Sequence, residues 1–89
     1  MFTITYHYKV VDDIKEISST HKVVIQKAIE EKLTIQPEFF GKPLQFSLKG
    51  ARSMRVGDFR VIFQIKKKEV YVLLIAHRSI VYKNAEGRL

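Results

Sequence analysis

The stretch RVGDFRVIF, residues 55–63, decides the fold because it holds a complete turn between two strands. Gly-Asp at positions 57–58 separates two segments in which apolar and polar residues alternate, the pattern of half-buried strands joined by a two-residue hairpin loop. The predicted pairs are Val56 with Phe59, Arg55 with Arg60, Met54 with Val61, and Ser53 with Ile62. Apolar side chains then meet across the hairpin, which supports this register.

A second tight turn follows at Lys67-Lys68, and the run Val70–Ala76 beyond it is apolar on both faces. A strand without polar alternation is typical of the centre of a sheet, where both faces are covered. With Lys67-Lys68 as the turn residues, Phe59 is predicted to pair with Ala76, the last residue of the apolar run. The next residue, His77, is therefore expected on the face that carries Arg60.

The N-terminal part of the chain predicts one strand and two helices. Residues Phe2–Lys9 alternate between apolar and polar, whereas Val11–Ile17 and the segment after Ser18-Ser19-Thr20 repeat their apolar residues at helical spacing. The second helix ends near Thr34, because Pro37 disfavours helix in the residue before it. The order β-α-α-β-β-β predicts an α+β fold: an N-terminal strand, a helical hairpin and an antiparallel β-meander, with the helices packed on one face of the sheet.

Two segments have no regular pattern. Residues Pro37–Gly50 hold both prolines and are predicted to form a connecting loop, and residues His77–Leu89 form a polar, basic tail. The residues predicted to anchor the loop to the core are Phe39, Phe40, Leu44 and Phe46. A chain of 89 residues is expected to form one domain, residues 1–89.

Composition narrows the classes of function. Sixteen Lys and Arg against nine Asp and Glu give a net charge of +7, which attracts polyanions such as RNA, DNA or an acidic protein. The chain has no cysteine for disulfides or thiolate metal sites, and its three histidines show no metal-ligand spacing. The N-terminus lacks a signal-peptide pattern, and the longest apolar run is too short to cross a membrane. We therefore expect a cytoplasmic protein with no membrane partner, no metal and no cofactor.

Folding alone does not explain the two arginines that the hairpin places opposite each other. Like charges in a cross-strand pair destabilise a sheet by a few tenths to about 1 kcal/mol, so an anion bound between Arg55 and Arg60 would account for them. His77, Arg78 and Tyr82 are expected on the same surface. Guanidinium groups hold phosphate oxygens, an imidazole moves protons near neutral pH, and an aromatic ring stacks on a base. This surface has the groups needed to hold a phosphodiester.

Two motifs of the chain resemble those of RelE-like toxins in the RelE/ParE toxin–antitoxin superfamily. RVGDFRVIF (55–63) is similar to their hairpin R-x-G-x-Y/F-R followed by an apolar residue, and HRSIVY (77–82) is similar to their H-R-x-x-V-Y ending. The order of elements agrees over nearly the whole chain. The resemblance implies a type II toxin that cleaves mRNA in the ribosomal A site without a metal ion. It also implies a cognate antitoxin, usually an acidic protein, that holds the toxin inactive.

The resemblance further implies a reaction and a role for each candidate residue. The ribose 2′-hydroxyl attacks the adjacent phosphate, which gives a 2′,3′-cyclic phosphate and a 5′-hydroxyl. Arg60 is expected to stabilise the transition state with help from Arg55. His77 is expected to act as base or acid, and Tyr82 to stack on the base or orient the nucleotide. The further residues expected to contact RNA phosphates are Arg78, Arg52 and Lys49.

One departure from the family pattern leaves alternatives open. Some members carry two basic residues at alternate positions of the strand before the hairpin, where this chain has Ser53 and Arg55. Arginine is a poor general base because its pKa exceeds about 12, so the base is His77, or else the ribosome activates the 2′-hydroxyl. A ParE-like inhibitor of DNA gyrase shares the fold, although the H-R-x-x-V-Y ending disfavours it. A non-catalytic relative that binds only antitoxin or nucleic acid is the third alternative.

Overall fold

The computed structural model describes residues 1–44 and 50–88, which form a five-stranded sheet with helices on both faces. The strands are β1 (Thr3–Tyr6), β2 (Lys42–Pro43), β3 (Ala51–Val56), β4 (Phe59–Lys66) and β5 (Glu69–His77). Their order across the sheet is β1-β5-β4-β3-β2. Neighbours are antiparallel except β1 and β5, which are parallel. The predicted meander β3-β4-β5 is therefore extended by one short strand on each side.

Three helices precede the meander and a fourth follows it. They are α1 (Val10–Asp13), α2 (Ser19–Ala28), α3 (Pro37–Phe40) and α4 (Val81–Ala85). A 3-10 turn, Ile14–Glu16, continues α1, and a π-helical turn, Ile29–Leu33, continues α2, so that together they form the predicted helical hairpin. The Ser18 Oγ caps α2 by accepting a hydrogen bond from the His21 N–H (3.3 Å).

The helical hairpin covers one face of the sheet. Ile25, Ile29 and Leu33 lie four residues apart and are buried against the strands, as their spacing predicts. The strand residues of this core are Met54, Val56, Val61, Phe63, Val70, Val72 and Ile75. Each fully buried Ile or Leu here stabilises the fold by roughly 1.5–3 kcal/mol relative to exposure. The predicted α+β architecture is confirmed.

The middle of the opposite face is covered by α4, which the sequence did not predict. Val81 and Ala85, four residues apart on this helix, are buried against a second core that includes Ile62 and Ala76. A 3-10 turn, Glu86–Arg88, follows α4. The segment predicted as a polar tail is therefore a short amphipathic helix that closes the second face.

Strand β5 lies between β1 and β4, and the sequence predicted its central position correctly. Every residue from Val70 to Ala76 is buried except Tyr71, which is half-buried. β1 pairs only with the first half of β5, and the last backbone bond on this side runs from the His7 N–H to the Val72 carbonyl (2.8 Å). The second half of β5 therefore needs other partners on that edge.

An ion pair occupies the edge of β5 beyond the end of β1. The Ile75 N–H donates to Asp13 Oδ2 (3.2 Å), and the Leu73 carbonyl accepts from Arg88 Nη1 (2.8 Å). Both Nη atoms of Arg88 also contact the Asp13 carboxylate, at 2.6 and 2.9 Å. Hydrogen bonding to Asp13 raises the pKa of Arg88, against the opposing effect of burial. The guanidinium therefore stays charged in this largely buried position.

The register of the first hairpin is as predicted, but the pairing of β4 with β5 contains a β-bulge that the sequence did not predict. The partners on either side of the bulge are Ile62 with Leu74, and Phe63 with Val72. Leu73 has no partner on β4, and this extra residue shifts the pairing beyond it by one position. Phe59 therefore lies opposite His77, and the predicted pairing of Phe59 with Ala76 is wrong. The turn at Lys67-Lys68 is confirmed.

The segment Pro37–Gly50, predicted as a loop, begins with α3 and the edge strand β2. Phe40 packs against the first core and Leu44 against the second, as expected of anchors. Phe39 is instead 76% exposed, because adjacent residues of a helix point about 100° apart and only one of the pair can face inward. Phe46 lies outside the described residues.

We predict that Gly41→Ala destabilises the fold by about 1–3 kcal/mol, the usual cost of overfilling a core. A Cβ on Gly41 would overlap the Phe63 ring, which is fully buried and cannot move aside. Gly87→Ala is the matched control, because a Cβ there meets no atom within 4 Å. Urea denaturation of both variants checks the prediction, and equal midpoints would contradict it.

Candidate functional site

Arg55 and Arg60 face each other across β3 and β4, as the hairpin register predicts. Their side chains lie on the face away from the helical hairpin, because Ile62, two residues after Arg60, belongs to the second core. Arg55 is exposed, whereas Arg60 is half-buried and donates from Nη1 to the Phe59 carbonyl (3.3 Å). Among the residues described, neither guanidinium forms an ion pair with a carboxylate. Two positive charges thus occupy paired positions of the sheet, with no carboxylate of the described residues between them.

Arg78 follows β5 and lies beside the hairpin turn. Its N–H donates to the Asp58 carbonyl (2.7 Å), and its Nε lies 3.9 Å from Asp58 Oδ1. Both side chains are largely exposed, so this ion pair contributes only about 0–1 kcal/mol. The carboxylate of the turn is therefore directed to Arg78, and a phosphate could replace it at little cost.

Tyr82 is carried by α4, which packs on the face of the sheet that carries the arginine pair. Its neighbour Val81 is fully buried and fixes α4 on the second face, while the Tyr82 side chain is 54% exposed. The core beneath α4 includes Ala76, which lies directly opposite Arg60 in the sheet. The ring of Tyr82 is thus open to a ligand on the same side of the sheet as the two arginines.

His77 does not join the arginine face, and this prediction is wrong. The bulge at Leu73 moves His77 opposite Phe59, so its ring packs edge-on against the Phe59 ring at 5.6 Å on the side of the helical hairpin. The Nδ1 of His77 accepts from the Ser79 N–H (3.1 Å) and lies 2.8 Å from the Ser79 Oγ. A backbone N–H can only donate, so the proton of the neutral ring is on Nε2.

A second histidine packs on the same phenylalanine. The ring of His21, at the start of α2, lies 5.2 Å from the Phe59 ring, and its Nδ1 lies 3.0 Å from the Ser18 Oγ. The sequence did not predict this His21–Phe59–His77 cluster, because it joins α2 to strand ends that are far apart along the chain. Each imidazole is oriented by a nearby serine.

The structure does not bring Arg52 to the arginine face. Arg52 lies opposite Phe63 and so points to the side of the helical hairpin. Its Nη1 donates to the Gly41 carbonyl (2.7 Å) and the Glu38 carbonyl (3.4 Å), which ties the end of α3 to β3. These bonds give Arg52 a structural role. Lys49, the other predicted phosphate contact near this strand, lies outside the described residues.

An open groove of about 560 Å³ runs between the end of β1 and the helical hairpin. Its lining includes Tyr6, Tyr8, Val11, Lys22 and Ile25. Burial, with a smaller effect from the charge of Glu30, raises the pKa of Tyr6, so its phenol stays neutral at physiological pH. The groove is mainly apolar and suits an apolar segment better than a polyanion. The sequence signal for this groove was the presence of apolar residues directly after β1, Tyr8 and Val11, which the structure leaves exposed.

The described part of the chain contains no group of three or more His, Asp or Glu side chains arranged to hold a metal ion. None of its helices is long and apolar enough to cross a membrane.

Comparison with known families defines the class of protein. A sequence model of the ParE toxins of type II toxin–antitoxin systems, parDE, matches residues 4–82. The chain belongs to this family, and it is therefore a type II toxin of the RelE/ParE superfamily. No curated protein sequence matches the chain.

Solved structures of toxin–antitoxin proteins share the fold. A chain of the RelBE2 complex from Mycobacterium tuberculosis is similar with a TM-score of 0.81 at 24% identity, over 86% of this chain and 98% of that one. YafQ from Escherichia coli BL21(DE3) gives 0.63 at 21% identity, over 92% and 99%. A chain of the chromosomal ParDE system from Pseudomonas aeruginosa gives 0.68 at 19% identity, over 86% and 96%. Proteins of the RelBE2, YafQ and ParDE systems thus share the fold of this chain.

We predict that Arg55→Glu raises the free energy of unfolding by a few tenths to about 1 kcal/mol at low salt, because it turns a repulsive cross-strand pair into an attractive one. Lys42→Glu is the matched control: Lys42 is an exposed strand residue whose partner is the uncharged Ser53. Urea denaturation measures both variants. A gain no larger than that of Lys42→Glu would show that the arginines do not repel each other.

Proposed function

We propose that this toxin is a ribosome-dependent endoribonuclease that cleaves mRNA by attack of the ribose 2′-hydroxyl on the adjacent phosphate. The observation that carries the proposal is the Arg55–Arg60 pair, two guanidinium groups on an open sheet face without a carboxylate partner among the described residues. The two like charges are expected to destabilise the folded protein, and a bound anion would remove their repulsion. A phosphodiester has the charge and the oxygen geometry that two guanidinium groups bind.

Arg60 is the residue proposed to stabilise the transition state. The attacked phosphorus becomes pentacoordinate and its oxygens gain negative charge, which a preorganised donor stabilises more than it stabilises the ground state. Arg60 is half-buried and its guanidinium is held by the Phe59 carbonyl, so it is the better ordered of the pair. Arg55 is more exposed and supplies a second positive charge.

Tyr82 and Arg78 are proposed to hold the nucleotide. The exposed Tyr82 ring stacks on a base, an interaction worth about 1–3 kcal/mol per base. The Arg78 guanidinium exchanges its weak contact with Asp58 for a flanking phosphate. Arg78 contacts the hairpin turn at Asp58, and Tyr82 lies on α4, which packs on the same face of the sheet as the arginine pair. The proposed RNA path therefore crosses this second face at the end nearest the hairpin turn.

Proton transfer is the part of the reaction that the arginine face does not supply. Arginine stays protonated, and the His77 ring packs on the opposite side of the sheet with Nε2 as its free nitrogen. In this tautomer Nε2 carries the proton and cannot accept a second one, so His77 acts as the base only if its contact with Ser79 breaks and the tautomer changes. The proposed base or acid is therefore His77 in that rearranged form, reached around the end of β5, or a group of the ribosome. The proposed reaction needs no metal ion, because the substrate itself supplies the nucleophile.

The proposed partners are the translating ribosome with its mRNA and a cognate antitoxin. The family is defined by toxin–antitoxin pairs, and the M. tuberculosis neighbour was solved as such a complex. A net charge of +7 favours both RNA and an acidic protein. The proposed location is the cytoplasm, where ribosomes and mRNA are found.

We predict that replacing both Arg55 and Arg60 by Ala lowers the rate of mRNA cleavage by at least the 10²–10³-fold expected for one lost transition-state donor. The assay is cell-free translation with mapping of new 5′ ends, and naked mRNA without ribosomes is the substrate control. The matched variant is Lys15→Ala with Lys27→Ala, which removes two positive charges from exposed ion pairs on the helical hairpin.

New ends on translated message, lost in the double arginine variant and kept in the double lysine variant, are the expected result. Equal cleavage by both variants would contradict the proposed role of the pair. Cleavage of naked mRNA would contradict the dependence on the ribosome. RNA binding that weakens steeply with salt but yields no product would identify a non-catalytic relative.

Inhibition of DNA gyrase is the second candidate function. The match to the ParE toxin family favours it, and so does the separation of His77 from the arginine face, because an inhibitor needs no proton transfer. A supercoiling assay with purified gyrase distinguishes the two functions. Loss of supercoiling activity together with an intact message would establish gyrase as the target.

A further inference from the structure

α4, the helix on the face of the arginine pair, is short and makes few apolar contacts with the sheet. α4 has five residues and buries two of them, Val81 and Ala85, on the sheet. An isolated helix of this length is not stable in water, so its position depends on what holds its ends. One end is fixed by β5. The other end leads through a 3-10 turn to Arg88.

Arg88 fastens that second end to the opposite layer of the molecule. Its guanidinium meets the Asp13 carboxylate with two short hydrogen bonds, of 2.6 and 2.9 Å, and both side chains are about nine-tenths buried. Asp13 belongs to α1 of the helical hairpin, whereas α4 lies on the other face of the sheet. The ion pair thus joins the two layers around the open edge of β5.

The position of this ion pair is defined by the sheet itself. Asp13 accepts from the Ile75 N–H and Arg88 donates to the Leu73 carbonyl, so each partner also bonds to β5. Four hydrogen bonds among these groups leave little freedom for either side chain. A bidentate contact fixes distance and orientation together, which a lysine in place of Arg88 could not do.

We propose that Asp13 and Arg88 are positioning residues of the arginine site: their ion pair fixes α4 and thereby sets where Tyr82 stands on the face that carries Arg55 and Arg60. The inference rests on the proposed function, because Tyr82 is taken as the residue that holds the nucleotide. Neither Asp13 nor Arg88 contacts the substrate in this arrangement, and both act through α4.

The main effect of the Asp13–Arg88 ion pair is to fix the position of α4 and not to raise the free energy of unfolding. A buried ion pair is often no more stabilising than apolar residues of the same size, because both charges lose their hydration. Its particular property is directional: only one arrangement satisfies both guanidinium nitrogens, the carboxylate and the two backbone groups of β5. α4, whose apolar contacts are few, gains a defined position from it.

The experiment uses the full chain with Asp13→Asn and Arg88→Gln combined, so that no unpaired charge is left buried. The matched control is Asp12→Asn with Lys15→Gln, which removes a neighbouring ion pair that is exposed. Arg88→Lys keeps the charge and loses the fork. Each set is made with Tyr82 intact and with Tyr82→Ala, and cleavage of translated mRNA is measured well below the melting temperature.

We expect the Asp13–Arg88 variant to lose on the order of 10²-fold in cleavage when Tyr82 is present, the usual effect of misplacing a substrate contact. Because the pair acts through Tyr82, the same change should cost less than about 3-fold in the Tyr82→Ala background. Arg88→Lys should be intermediate, and the exposed control should match the wild type. Equal losses in both backgrounds would overturn the positioning role, since a general loss of folded protein does not depend on Tyr82.

Hydrogen exchange separates this inference from the proposed function. Amides of residues 81–88 should exchange faster in the Asp13–Arg88 variant, while those of β4 stay protected. Unchanged exchange at 81–88 with an active wild type would overturn the positioning role alone. A wild type that cleaves no message would overturn the proposed function, and with it the catalytic consequence drawn here, whatever the exchange shows about α4.

Discussion

The structure depends on one strand, β5, whose side chains must be buried on both faces and whose backbone must be hydrogen-bonded along both edges. Its apolar residues are buried from the hairpin side and from the α4 side, and its backbone is paired with β4 along one edge. Because β1 reaches only the first half of the other edge, Asp13 and Arg88 supply the remaining partners with their side chains. The two helical layers, the mixed pairing of the sheet and the path of the chain after β5 all follow from this requirement.

The fold was predictable where sequence patterns are local. Gly57, which has a positive φ of 59°, and the alternation around it gave the first hairpin and placed Arg55 opposite Arg60. The bulge was not predictable in the same way. From Val70 to Ala76 β5 is apolar on both faces, so a shift of one residue places an apolar side chain on either face. The bulge therefore leaves no mark in the sequence pattern. That single extra residue decides on which side of the sheet His77 lies.

The candidate site was predictable only in part, for a related reason. The arginine pair belongs to one hairpin, so turn geometry was enough to find it. Arg52 was expected to contact phosphate, but its Nη1 donates to the carbonyls of Gly41 and Glu38, an interaction with no local signal in the sequence. The partnership of Asp13 and Arg88 joins residues 75 apart in sequence and has no local signal. The spacing of Val81 and Ala85 did contain the signal for α4, although five residues are too few to separate a helix from a tail.

The parallel pairing of β1 with β5 has a consequence for the order in which the protein is made. Thr3 pairs with Glu69 and Tyr6 with Val72, so the first strand to leave the ribosome has no partner until the last strand has also emerged. Contacts this distant in sequence form late in folding, because the intervening chain must be closed into a loop. A nascent copy therefore lacks the assembled sheet on which α4 and the arginines are arranged. The arginine surface is therefore complete only after nearly the whole domain has been translated.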